Sequence, residues 1–220
     1  MQVPILEAAA APRASVGKRE AILVAATRVF LQHGYEGTSM DLVAQEAGVV
    51  RRTLYNQFPN GKEALFHAVV EQVWSAFPVL DITTDADALA DPKLGLTRIG
   101  RAVADFWAPP MAVSFLRLVI AEGPRFPKLT ESFFAAGKTP AMGAIRSYLE
   151  ELSHRRILRI ADAELATRQF LGLIDEPLLW IRIVGRPEET TVEHRTTVVE
   201  QAVAMFLGYY LPNPKTARKG

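Results

Sequence analysis

Apolar residues recur along this chain with a spacing near 3.6, and strand-like alternation is absent, which predicts an all-α protein. From Lys18 onward, Ile22, Ala25, Ala26, Val29 and Phe30 fall on one helical stripe, and Gly34 is placed to stop that helix. Thr38 to Asp41, "TSMD", fits a capping box, a hydroxyl followed three residues later by an acid. It predicts a short helix with Leu42, Val43 and Ala47 facing inward. Gly48 then supplies a turn, and Arg51 to Phe58 forms a second short helix with Leu54 and Phe58 on its buried side. Pro59, Asn60 and Gly61 break it, and Lys62 opens a longer helix carrying Leu65, Phe66, Val69, Val70 and Val73.

Beyond Pro78 the pattern changes. The polar, broken run Asp81 to Pro92 reads as a connector. Longer helices follow, at about Leu94 to Trp107, Pro110 to Glu122, Lys128 to Arg155, Asp162 to Val184 and Thr191 to Leu211. Pro140 and Pro177 lie inside two of them and are expected to split or kink them. The domain organisation expected is a flexible arm over residues 1–16, a small N-terminal helical bundle over 17–77, a larger helical domain over 78–212 and a disordered tail over 213–220.

Composition narrows the chemistry. With 25 basic and 24 acidic residues among 220, the net charge is +1, so any polyanion site must come from local placement. The absence of cysteine excludes disulfides, thiolate metal sites and cysteine nucleophiles. The four histidines are scattered and form no metal-binding spacing, and there is neither a glycine-rich phosphate loop nor a G-x-S-x-G elbow. No catalytic residue, metal or cofactor is therefore expected. The apolar runs stop short of the ~18 residues a membrane span needs, and Arg117 and Arg182 interrupt the two best of them. Without a basic region at its start either, the chain reads as cytoplasmic, with no membrane partner.

The local exception to neutrality is "GVVRRTLYNQFPNGKEAL", Gly48 to Leu65, which holds Arg51, Arg52 and Lys62 and no acid before Glu63. Two short helices joined by a glycine turn match a helix-turn-helix, whose second helix enters the DNA major groove. Arg51 and Arg52 could pair with phosphate or fork onto guanine, and Thr53, Tyr55 and Asn56 add hydroxyl and amide groups. Lys62, Thr38 and Ser39 lie at helix starts, where free backbone N–H groups favour an anion. The competing reading is a helical hairpin with a solvated Arg-Arg face.

The segment from about Lys18 to Val73 resembles the DNA-binding domain of the TetR family. The matching elements are Ala26, Phe30, Gly34 and Tyr35, the Thr-Ser helix start, Ala44, Ala47, Gly48 and Val49, then Thr53 to Phe58 and Lys62 to Leu65. The resemblance implies backbone contacts from Thr38, Ser39, Tyr55 and Lys62, and base or mixed contacts from Arg51, Arg52, Thr53 and Asn56. Two positions depart from the family pattern: Val50 replaces the usual serine cap of the recognition helix, and Gln57 stands where His or Tyr is frequent. More loosely, "LRLVIAEGPRFPKLTESFFAAG" and "ADAELATRQFLGLI" are similar to the AcrR-like or AefR-like branch.

That resemblance implies a one-component regulator: a repressor that binds a near-palindromic operator as a homodimer and is released by a small hydrophobic or amphiphilic effector. Phe106, Trp107, Met111 and Phe115, which flank the Pro109-Pro110 break, are candidates for the effector pocket, although aromatics at helical spacing are more often plain core. Glu122 and Arg125 are either a polar handle for the ligand or helix-end groups facing solvent. Phe170, Leu173 and Ile174 on one late helix, with Val199, Val203 and Phe206 on the last, are candidates for the dimer interface or complete the core of one chain. The alternative function is a ligand-binding or scaffold protein that keeps the fold without binding DNA.

Overall fold

Helical period is realised throughout a computed structural model that describes residues 17–75, 77–186 and 190–212, with no strand among them. The expected arm and tail lie outside the described residues. The helices are α1 (Lys18–Gly37), α2 (Met40–Ala47), α3 (Arg51–Gln57), α4 (Gly61–Ser75), α5 (Val79–Thr84), α6 (Ala86–Ala90), α7 (Pro92–Trp107), α8 (Pro110–Glu122), α9 (Pro127–Phe133), α10 (Thr139–His154), α11 (Ala163–Asp175), α12 (Ile181–Ile183) and α13 (Val192–Tyr210). Wide π-helical turns, Phe134–Lys138 and Glu176–Trp180, join α9 to α10 and α11 to α12. Those turns lie at the two expected proline breaks. Pro177 sits within one and Pro140 just beyond the other, so the widened ladder accommodates each ring and its missing N–H while the helical path continues.

The chain forms two compact units that do not follow its linear order. The first joins α1–α4 to Pro109–Thr139, which contains α8 and α9; the second joins Phe77–Ala108 to the chain from Pro140 onward. The division expected near residue 77 thus omits α8 and α9 from the unit they pack into.

In the first unit an aromatic cluster forms the core. The Phe66 ring meets Phe30 edge-on at 5.3 Å and stacks on Phe115 at 5.7 Å, which places α1, α4 and α8 around one centre. In the second unit α7 packs against α11 and α13. Gly100 permits the approach, since a Cβ there would fall 2.8 Å from Val199 Cγ1. The buried Tyr148 hydroxyl donates to Ala88 O at 2.7 Å, tying α10 to α6.

Two expectations are corrected here. The polar run after Pro78 forms α5 and α6 rather than an open connector, with Asp85 as the N-cap of α6 and Asp91 as the N-cap of α7; Asp85 accepts from Ala88 N at 2.9 Å and Asp91 from Lys93 N at 2.9 Å. Five of the six candidate interface residues, Phe170, Ile174, Val199, Val203 and Phe206, are 0–2% exposed in one chain, and Leu173 is half-buried. Their stripes face α7 and each other, and Phe170 meets Phe206 edge-on at 5.2 Å. They are core, and the apolar groups left exposed on the same elements are different ones.

Phe170→Ala is therefore expected to cost about 3–5 kcal/mol, as a buried cavity does, measured by urea denaturation. The Ala88 N–H, and after it the Arg98 guanidinium at 3.1 Å, hold the Asp85 carboxyl below its ordinary pKa. Its stabilising contribution is present above the unfolded carboxylate value, about pH 4, and is lost as the pH falls through the lower folded value. The denaturation midpoint of Asp85→Asn should accordingly fall less than that of the wild type on acidification through that window.

Candidate nucleic-acid interface

The geometry starts at the end of α1. The helix breaks at Gly34, whose φ of 71° lies in the left-handed region, and the chain then reaches Ser39, the N-cap of α2. Ser39 Oγ accepts from Leu42 N at 3.2 Å. The capping box expected from Thr38 is displaced by one residue, so Met40, Val43 and Ala44 face inward while Leu42 is exposed. Gly48, with φ 65° and ψ 32°, makes the left-handed turn out of α2, and its N–H returns to Ala44 O and Gln45 O.

Helix α3 is anchored by Leu54 at 0% and Phe58 at 2% exposure, and the Arg19 guanidinium lies over the Phe58 ring at 4.8 Å. That anchoring leaves Arg51, Arg52 and Asn56 exposed, with Thr53 and Tyr55 half-buried beside them. The Arg51 guanidinium sits 5.3 Å over the Tyr55 ring and pairs with Asp41 Oδ2 at 3.1 Å. The stretch is free of acid along the chain, yet α2 brings a carboxylate to it through space. Both partners are well exposed, so the pair contributes little to stability and yields readily to another anion.

The structure thus gathers Arg51, Arg52, Thr53, Tyr55 and Asn56 on α3, with Ser39 at the start of α2. Thr38 and Lys62 are engaged elsewhere. The Thr38 hydroxyl, 3% exposed, donates to Gly34 O at 2.6 Å. Lys62 Nζ donates to Tyr35 O at 2.7 Å and lies 4.6 Å over the Tyr35 ring. Burial lowers the Lys62 pKa below the usual lysine value, against the opposing pull of Glu122 and Glu36. Both residues tie the end of α1 to the elements that follow it.

Val50 occupies the N-cap of α3 with no side-chain hydrogen bond and is 70% exposed. Gln57 Oε1 is buried with no hydrogen-bond partner among the described residues.

The four candidate pocket residues divide between the units. Phe106 and Trp107 belong to the second, where their rings meet edge-on at 4.8 Å, whereas Met111 and Phe115 belong to the first. Glu122 and Arg125 are not a free polar handle: the Glu122 carboxylate accepts from the Tyr35 and Glu36 N–H groups, and Arg125 pairs with Glu36 at 2.8 Å. The partners of Glu122 and Asp41 are what sequence reasoning missed, since Arg51 lies on a different helix from Asp41 and the Tyr35 and Glu36 amides lie far from Glu122 along the chain. Among the described residues no group of three metal-binding side chains occurs, and no single helix is long and apolar enough to cross a membrane.

Residues 22–69 match the model of the bacterial regulatory proteins of the tetR family, and residues 94–212, more than half the chain, match the C-terminal domain of AefR-like transcriptional repressors. The chain belongs to the TetR family. The curated relatives it matches are HTH-type transcriptional regulators. Over 78 residues this TetR-family chain is 37% identical to the HTH-type transcriptional regulator LmrA of Bacillus subtilis (strain 168), covering 36% of this chain and 41% of that protein. It spans less than half the length of the curated relatives it matches. A solved structure described as a TetR-family transcriptional regulator, from Mesorhizobium loti MAFF303099, aligns with a TM-score of 0.76 at 25% identity, over 89% of this chain and 97% of that one. The flavonoid-responsive regulator FrrA aligns with a TM-score of 0.71 at 29% identity, over 89% of this chain and 98% of that one.

Val50→Ser should supply the missing cap of α3 and stabilise the fold by about 1 kcal/mol. The measurement is slower amide exchange at Arg52 and Thr53 together with a higher denaturation midpoint; unchanged exchange would mean that the cap is not limiting.

Proposed function

We propose that this TetR-family chain is a ligand-responsive repressor acting in the cytoplasm, and that it binds a near-palindromic operator as a homodimer. The observation that carries the reading is α3 itself. Its buried side chains, Leu54 and Phe58, fix the helix, and its opposite face leaves Arg51, Arg52 and Asn56 open beside Tyr55. Arg51 and Arg52 suit guanine edges or phosphate, and Asn56 suits adenine. Ser39 adds a hydroxyl at the start of α2, where backbone N–H groups favour phosphate. Thr38 and Lys62 support the site through the end of α1, and any phosphate they meet would meet their backbone N–H groups or a displaced side chain.

Repression follows the AefR-like repressor description of the matched C-terminal domain. The same segment, residues 94–212, is the proposed effector-binding part, with a hydrophobic or amphiphilic small molecule as its ligand. The name of the similar flavonoid-responsive regulator supports an aromatic ligand of that type. A ligand that favours a DNA-incompatible arrangement of the two heads would shift the population off the operator.

The dimer surface proposed here is the apolar face left open on the late helices: Leu165 on α11, Trp180 and Val184 around α12, and Met205 and Tyr209 on α13. Tyr209 is 80% exposed, and large exposed apolar groups clustered on neighbouring helices mark an interaction surface. A two-fold pairing of such a face is self-complementary and presents two recognition helices together.

Selection of bound fragments from the source genome, followed by anisotropy titration, tests DNA binding outright. Arg52→Ala is expected to weaken operator affinity about tenfold or more, the loss of one good base contact or phosphate pairing. Wild-type affinity should fall steeply as salt rises; an affinity that ignores both would refute the reading. Met205→Glu combined with Tyr209→Glu should convert the dimer to a monomer in sedimentation analysis.

A further inference from the structure

Gly34 has no Cβ, and the space one would occupy is filled. A Cβ built there would lie 2.3 Å from Glu122 Oε1. The residue holds φ 71° and ψ 174°, which turns the chain out of α1 and leaves the next two backbone N–H groups without helical partners. Both donate to one carboxylate at the end of α8: Tyr35 N to Glu122 Oε1 at 2.8 Å and Glu36 N to Glu122 Oε2 at 2.9 Å. Hydrogen bonds to an ionised acceptor are about twice as strong as neutral ones.

The carbonyl side of the same residues is held as well. Gly34 O accepts from the Thr38 hydroxyl, and Tyr35 O accepts from Lys62 Nζ. The Tyr35 ring is buried, stacked on Phe30 at 5.8 Å, with Phe126 at 5.0 Å. Arg125 pairs with Glu36 at 2.8 Å and Lys128 with Glu63 at 2.7 Å. These last pairs are well exposed and weak. The carboxylate grip is the strong element, because it satisfies two backbone donors that nothing else in the turn reaches.

We infer that Glu122 is a positioning residue for DNA binding. Its carboxylate fixes the turn from which α2 departs and against which Lys62, at the start of α4, is braced. The elements flanking α3 on both sides therefore take their placement from a residue in the segment matched by the C-terminal family model, outside residues 22–69. The inference rests on the DNA-binding reading above. A carboxamide cannot replace the carboxylate, since its NH₂ would face one of the two N–H donors.

The test compares wild type, Glu122→Gln and Arg125→Ala at a temperature where circular dichroism shows each fully folded. Titrations use the operator selected by the wild type and a random-sequence duplex. Glu122→Gln should lose at least tenfold in operator affinity, keep its affinity for random DNA within twofold, and show faster amide exchange at Tyr35 and Glu36. Arg125→Ala should stay within twofold of wild type on both duplexes. Wild-type operator affinity in Glu122→Gln overturns the inference and leaves DNA binding standing, whereas a wild type that selects no fragment removes the DNA-binding reading itself. Should Glu122→Gln not fold, wild-type amide exchange decides. Protection at Tyr35 and Glu36 should rise on adding operator and not on adding random duplex, and equal protection with both overturns the inference.

Discussion

A seven-residue helix does not stand alone in water, and α3 has seven residues, no side-chain cap and no acidic residue in its first turn. Its existence depends on Leu54 and Phe58 being taken into a core built by other helices. This constraint orders the rest of the first unit. The Phe30, Phe66 and Phe115 rings form the aromatic centre of that unit, Gly48 makes the turn between α2 and α3, and Pro59 to Gly61 leads at once into α4. A helix held by its inner face alone keeps its outer face free for recognition, so the small number of polar groups displayed there suffices.

The near-neutral charge of the chain follows the same logic. Arg51 is lightly paired with Asp41, Lys128 with Glu63 and Arg125 with Glu36, all at well-exposed positions where solvent screening leaves each pair weak. Such a carboxylate is displaced by a competing anion at little cost. The cations that do not yield are those serving the backbone: Lys62 on the Tyr35 carbonyl, and Arg182, buried in the second unit, whose guanidinium donates to Trp107 O and Ala108 O at 2.6 and 2.9 Å and so closes the end of α7. The two groups have different work, and charge counting does not separate them.

Most elements were legible from period and punctuation. Helices α1 to α4 and α7 to α13 follow from stripes of apolar residues bounded by glycine and proline, and the glycine turn with Leu54 and Phe58 inward marks the helix-turn-helix. Errors arose where one residue of register or one distant partner decided. Ser39 rather than Thr38 caps α2, because Thr38 turns inward to the Gly34 carbonyl; that shift exposed Leu42 and buried Met40. Phe170, Ile174, Val199, Val203 and Phe206 carried a stripe that fits either a partner chain or α7, and the fold gave it to α7. The connector became α5 and α6, and its aspartates, which read as loop residues, are the caps that start α6 and α7.

The sequence by itself determined what is local in cause: helical period, helix ends set by backbone-permissive glycine and ring-constrained proline, and the residues displayed around α3. Only the tertiary structure decided what depends on groups far apart in the chain. It assigned Pro109–Thr139 to the unit of the N-terminal helices, and it brought Asp41 to Arg51 and Glu122 to the amides beyond Gly34. The physical reason is that a carboxylate's partner is set by where its helix ends in space. A separation of 87 positions from Tyr35 to Glu122 carries no local periodicity that could record it.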